Sequence, residues 1–155
     1  MTKLITNLRF FFFFIALILM PHSCSKDVVD CVPDTYVDIT LNTNNFFIGM
    51  NDARIVTNTM VNVQSLGYNN NGIIVYLGND GYYAYDRTCT YHVEKSIAVN
   101  IEAGNTLFAV CPVCSTRYQL YFSGIPTDAG PSKCPLKQYK TFYNPNTFEL
   151  QIYNF

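Results

Sequence analysis

Two short cysteine motifs carry the chemistry of this chain. Cys89-Thr90-Tyr91-His92 is a C-x-x-H and Cys111-Pro112-Val113-Cys114 is a C-x-x-C, with eighteen residues between them. A two-residue gap lets both side chains of a tight turn converge on one ion. Two such turns supply four ligands in a tetrahedron. Thiolate and imidazole suit zinc or iron rather than calcium or magnesium. The candidate metal ligands are therefore Cys89, His92, Cys111 and Cys114. The same residues allow two other readings. One is a structural disulfide from Cys89 to Cys111 or Cys114. The other is a redox-active thiol pair at Cys111 and Cys114, which wants its first cysteine at a helix N-terminus. Tyr118 to Phe122 reads instead as strand.

Nothing else in the chain competes as a site. A serine–histidine–acid arrangement would have to take His92 away from Cys89. Asp80, Asp86 and Glu94 lie near turns and read as solvated, as do Lys133, Lys137 and Lys140. Gly78-Asn79-Asp80-Gly81 is a hairpin turn with no helix behind it, so it is not a phosphate loop. Catalysis is not expected. Ten basic residues face eleven acidic ones, which leaves no basic stripe for nucleic acid. With 49% hydrophobic and 14% charged residues, the 155-residue chain is folded rather than disordered and suits one domain.

The elements that must hold these motifs read as strands and turns. Tyr36 to Leu41 alternates with period two, and Ile73 to Leu77 is a short apolar run. Asn79-Asp80-Gly81 joins that run to Tyr82–Tyr85 as a hairpin, because Asp-Gly tolerates positive φ. Ile97–Ile101, Thr106–Val110, Tyr118–Phe122, Tyr139–Tyr143 and Phe148–Tyr153 follow, the last two split by Asn144-Pro145-Asn146. Residues 59 to 66 offer at most one helical turn. The fold class is all-β, a sandwich or small barrel. Its aromatics read as core and cross-strand pairs.

Ahead of this lies an export signal. Lys3 and Arg9 precede an apolar run, Phe10 to Met20, too short to span a bilayer. Pro21 and a polar pair lead to Cys24. This is a secretory signal layout, and Cys24 followed by Ser25-Lys26-Asp27 resembles a bacterial lipoprotein signal, in which that cysteine is lipidated. Residues 1–23 are then a signal peptide, 24–34 a tether and 35–155 one β domain. The mature chain has 132 residues and a net charge of −3, and His92 is its one histidine. With Cys24 lipidated, five cysteines remain, an odd number for an oxidising compartment. Cys31 has no assigned partner; Cys134 or another chain is open to it. The membrane is expected as a partner through the lipid, in the bacterial envelope and its outer membrane.

Tyr85-Asp86-Arg87-Thr88-Cys89-Thr90-Tyr91 resembles the first box of a Rieske iron–sulfur domain, where a strand leads into Cys-x-His. Cys111-Pro112-Val113-Cys114-Ser115-Thr116-Arg117-Tyr118 resembles the second box, Cys-Pro-x-His-Gly-Ser-x-Phe. Gly130-Pro131-Ser132-Lys133-Cys134-Pro135 is similar to the segment that closes over the cluster. The resemblance spans residues 72 to 155. It implies a Rieske-like β fold with a two-knuckle cluster-binding subdomain over residues 86–118. Together with the lipoprotein signal, it looks like the Rieske-like lipoproteins of Bacteroidota-type bacteria. A Rieske centre takes two cysteines and two histidines. Here Tyr91 stands at the first histidine position and Cys114 at the second. Cys134 is a candidate substitute ligand. The implied occupant is an iron–sulfur cluster at lowered potential; zinc and a metal-free scaffold stay open as alternatives.

Overall fold

The computed structural model describes residues 31–155. The signal segment and Cys24 lie outside the described residues. The described residues form ten strands in two antiparallel sheets. The first has six strands in the order β1 (Asp38–Asn42), β10 (Glu149–Tyr153), β9 (Gln138–Asn144), β4 (Gly81–Asp86), β3 (Ile73–Gly78) and β2 (Asp52–Val56). The second has four: β5 (Asn100–Glu102), β6 (Asn105–Val110), β7 (Arg117–Gln119) and β8 (Ile125–Pro126). Among the described residues a short α-helix, α1 (Asn58–Val61), follows β2, and a 3-10 turn covers Tyr68–Asn70. The all-β expectation holds. Among the described residues no helix is long and apolar enough to cross a membrane.

The β3–β4 hairpin is the hinge between two cores. Ile73, Val75 and Ala84 point into one, with Ile39, Leu41, Leu150 and Ile152. Ile74, Tyr76 and Tyr85 point into the other, with Cys89, Cys111, Tyr118 and Leu120. Period-two alternation makes the run Ile73–Tyr76 apolar throughout, because both faces of the strand are buried. The turn closes as expected, with Gly78 opposite Gly81 and Gly81 at φ +122°. Tyr85 then reaches across to the smaller sheet, where its hydroxyl donates to the Leu120 carbonyl at 2.8 Å.

Several expectations change in detail. β2 was not visible as a strand in the sequence, since Arg54 interrupts its apolar positions. The stretch expected over Ile97–Ile101 becomes an isolated bridge, Thr88 to Ala98, followed by β5. The Tyr118–Phe122 strand is cut to Arg117–Gln119 because the chain turns back on itself, Gly124 N–H reaching the Gln119 carbonyl. Asp86 is not solvated. It is 0% exposed, and its carboxylate accepts from Thr88 N–H, Tyr68 N–H and the Tyr139 hydroxyl. Lys137 is not solvated either. At 5% exposure, it donates to the Val32 carbonyl and pairs with Asp34 at 2.6 Å. A buried charge needs such partners, and these lie about a hundred residues away along the chain. Residues 31–34 are accordingly docked on the domain: Val32 is buried and Cys31 is disulfide-bonded to Cys134.

Candidate metal centre

Each box grows out of a strand end. After β4, Arg87 pins the chain by donating to the carbonyls of Val99 and Asn71 and to the Asn100 side chain. Cys89 N–H then bonds to the Ile97 carbonyl, and a turn begins with His92 N–H on the Cys89 carbonyl. After β6 the second box folds back tightly. Cys111 N–H reaches the Thr116 carbonyl, and Ser115 N–H reaches the Cys111 carbonyl. Ser115 sits at φ +58°, the left-handed conformation that lets the knuckle close.

Cys89, Cys111 and Cys114 meet there. Their three sulfurs lie within 4.8 Å of one another, and Cys89 Sγ and Cys114 Sγ are 3.7 Å apart. Two sulfurs held about 2.3 Å from one tetrahedral ion are about 3.8 Å apart, so the Cys89–Cys114 pair has the spacing of two ligands of one ion. Cys89 and Cys111 are buried, and Cys114 is half-buried. All three are free thiols, so the disulfide reading of Cys89 with Cys111 or Cys114 is not what the structure holds.

Hydroxyl groups face these sulfurs. Tyr118 Oη is 3.5 Å from Cys89 Sγ, and Thr116 Oγ1 is 3.1 Å from Cys114 Sγ. A proton count orders the network. Thr90 gives its hydroxyl proton to the Cys134 carbonyl at 2.9 Å, and Ser132 can then donate to Thr90 Oγ1 at 2.6 Å. Tyr118 accepts from Thr90 N–H at 3.2 Å, and its own proton faces two acceptors, Thr90 Oγ1 at 3.0 Å and Cys89 Sγ at 3.5 Å. The segment over the site is pressed flush against the second knuckle. A Cβ on Gly130, at φ +91°, would fall 2.4 Å from Thr116 Cα, so only glycine allows this approach.

Burial pushes the Cys111 thiol up to about 12, so an ion must displace its proton to bind there. For Cys114, burial acts in the same direction. Hydrogen bonds from the Thr116 hydroxyl and backbone N–H, and contacts with the other two thiols, outweigh it and lower the pKa. Burial raises the Tyr118 phenol, which the neighbouring Cys89 pushes further in the same direction. Tyr118 is thus held protonated, as a donor.

The other sequence-derived candidates lie apart. His92 falls outside the thiol group; its ring packs edge-on against Tyr91, 4.9 Å between centroids. Cys134, the candidate substitute ligand, is taken up by Cys31. Tyr91, at the first histidine position of the resemblance, is 55% exposed. A two-cysteine, two-histidine ligand set therefore does not fit these residues. Thr90, Thr116, Tyr118 and Ser132 were not singled out by sequence, although the hydroxyl residues beside each cysteine were the available signal.

No protein-family model matches the chain, and no curated protein matches it. Among solved structures, it is similar to the ferredoxin of carbazole 1,9a-dioxygenase from Nocardioides aromaticivorans IC177. The identity is 17% and the TM-score 0.48, over 79% of this chain and 100% of that one. It is also similar to a ferredoxin of Sphingomonas yanoikuyae B1, at 13% identity and TM-score 0.49, over 78% of this chain and 99% of that one.

Proposed function

We propose that this chain is a lipid-anchored protein of the bacterial envelope whose β domain binds a thiophilic metal through Cys89, Cys111 and Cys114. The observation that carries the reading is the convergence of three sulfurs, two of them on buried residues and one pair at the spacing of shared ligands. A metal-free scaffold gives no reason for three free thiols to meet beneath a fitted covering segment. Lipidation at Cys24 and an outer-membrane location rest on the signal-like residues 1–27 and on the membrane as partner. The role is binding rather than catalysis.

An iron–sulfur centre for electron transfer is the second reading. The order of the two boxes favours it, as does a protonated tyrosine beside a ligand sulfur. It needs a cluster with an altered ligand set, since three donors converge among the described residues. Zinc is the structural form of the first reading.

Metal analysis with a visible spectrum tests both readings, on the full chain purified from membranes without oxygen. Metal bound in wild type and lost from Cys114→Ser supports the proposal. Visible absorbance with iron and acid-labile sulfide selects the second reading. Wild-type protein that takes up no metal under reducing conditions overturns both.

A further inference from the structure

Three donors converge at this site, and a fourth is missing. Among the described residues no histidine, carboxylate or other thiol joins Cys89, Cys111 and Cys114 within the same 4.8 Å. The two nearest prospects are accounted for. Cys134 is covalently engaged with Cys31, and His92 packs on Tyr91. Structural zinc sites are almost always closed by four protein ligands. A two-iron cluster likewise takes four. Structural zinc and a two-iron cluster are each one protein ligand short here, and a three-ligand zinc would have to close its fourth position with water.

Soft thiolates also select Cu(I). This ion is monovalent and filled-shell, and three sulfurs in a plane complete its coordination. At the same metal–sulfur length of about 2.3 Å, a trigonal arrangement spreads the sulfurs to about 4.0 Å. Cys89 Sγ and Cys114 Sγ stand at 3.7 Å and all three lie within 4.8 Å, so a small outward shift of that pair seats the ion. Three thiolates around a single positive charge leave excess negative charge on sulfur in a buried place. The hydroxyls of Thr116 and Tyr118, at 3.1 and 3.5 Å from two of those sulfurs, are placed to donate to it. Among the three ligands, only Cys114 reaches the surface, giving the ion one way in.

We infer that the three-thiolate site binds Cu(I) in three-coordinate form, with Cys114 as the entry ligand. This rests on the metal-binding reading above and names its ion.

The test uses the full chain in detergent, without oxygen, with the Cys31–Cys134 disulfide intact. Cu(I) is titrated against a coloured Cu(I) chelator, and the copper edge is measured by X-ray absorption. One equivalent bound, with three sulfur scatterers and no nitrogen, is the expected result. Cys114→Ser, at a half-exposed position that a serine fits, should weaken Cu(I) binding by more than about 100-fold with an unchanged circular dichroism spectrum. His92→Ala should leave binding intact; loss of copper from that variant makes His92 a fourth ligand and overturns three-coordination. Uptake of zinc or of an iron–sulfur centre without Cu(I) overturns the inference and leaves metal binding standing. No uptake of any of these removes both.

Discussion

The two sheets of this molecule are built on different principles. The six-stranded sheet uses strands of five to seven residues, paired residue by residue except between β4 and β9, which share two pairs. One of its faces closes on an apolar core of Val37, Ile39, Leu41, Leu150 and Ile152. The four-stranded sheet has strands of only two to six residues. Its core mixes thiols and tyrosines with aliphatic side chains, and its loops are tied by hydroxyl hydrogen bonds. Burial of apolar area supplies stability without fixing an atom's position. Directional bonds supply little net stability but set geometry. The larger sheet carries most of the fold and delivers Cys89 from the end of β4, and the smaller one aims Cys111 and Cys114 from the end of β6.

That contrast makes four predictions, of decreasing size. Leu150→Ala, at a fully buried position of the larger sheet, should cost about 2–5 kcal/mol. The midpoint of urea unfolding reports the loss, while metal bound per folded molecule stays constant. Loss of metal at unchanged stability breaks the division of labour. Replacing Cys31 and Cys134 by serine should cost about 2–4 kcal/mol, measured the same way, and wild type in reductant should lose a similar amount.

Tyr118→Phe sharpens the comparison from the other side. It removes one hydroxyl from the smaller core and should cost only about 1 kcal/mol. Metal should be held about tenfold less tightly, read by chelator competition. The smallest effect belongs to Glu102, whose carboxylate accepts two bonds from Arg117 at 2.9 and 2.7 Å. Those bonds hold its pKa below the ordinary value. Its contribution to stability is therefore present above the ordinary carboxylate range and lost as pH falls through the lowered value. Glu102→Gln should flatten the acid limb of the melting-temperature profile and change little at neutral pH.

Local features were legible in advance and distant ones were not. Asn79-Asp80-Gly81 announced its hairpin, because turn chemistry resides in three consecutive residues. The two cysteine boxes likewise disclosed three residues that meet. C-x-x-H spacing suggested a fourth, yet His92 packs its ring on Tyr91. Spacing limits the reach of a side chain but not its rotamer. Asp86 and Lys137 were misread for one shared reason. A charge at a turn looks solvated until partners arrive from elsewhere, and theirs come from Tyr139 and from Asp34. The Cys31–Cys134 pairing spans 103 residues, and no local pattern encodes such a closure.

With Cys24 acylated as proposed, the same closure fixes the direction in which the molecule hangs. Cys134 offers its carbonyl to Thr90, the residue after ligand Cys89, so the clasp is fastened beside the sulfurs. Six residues separate Cys31 from Cys24, so the seven steps between them span at most about 25 Å when fully extended. With the acyl chain on Cys24 as proposed, the end bearing the thiols is moored close to the lipid headgroups and the rest of the domain trails outward. Traffic with the site then runs along the bilayer surface, from neighbours anchored in the same leaflet, more readily than from the open compartment.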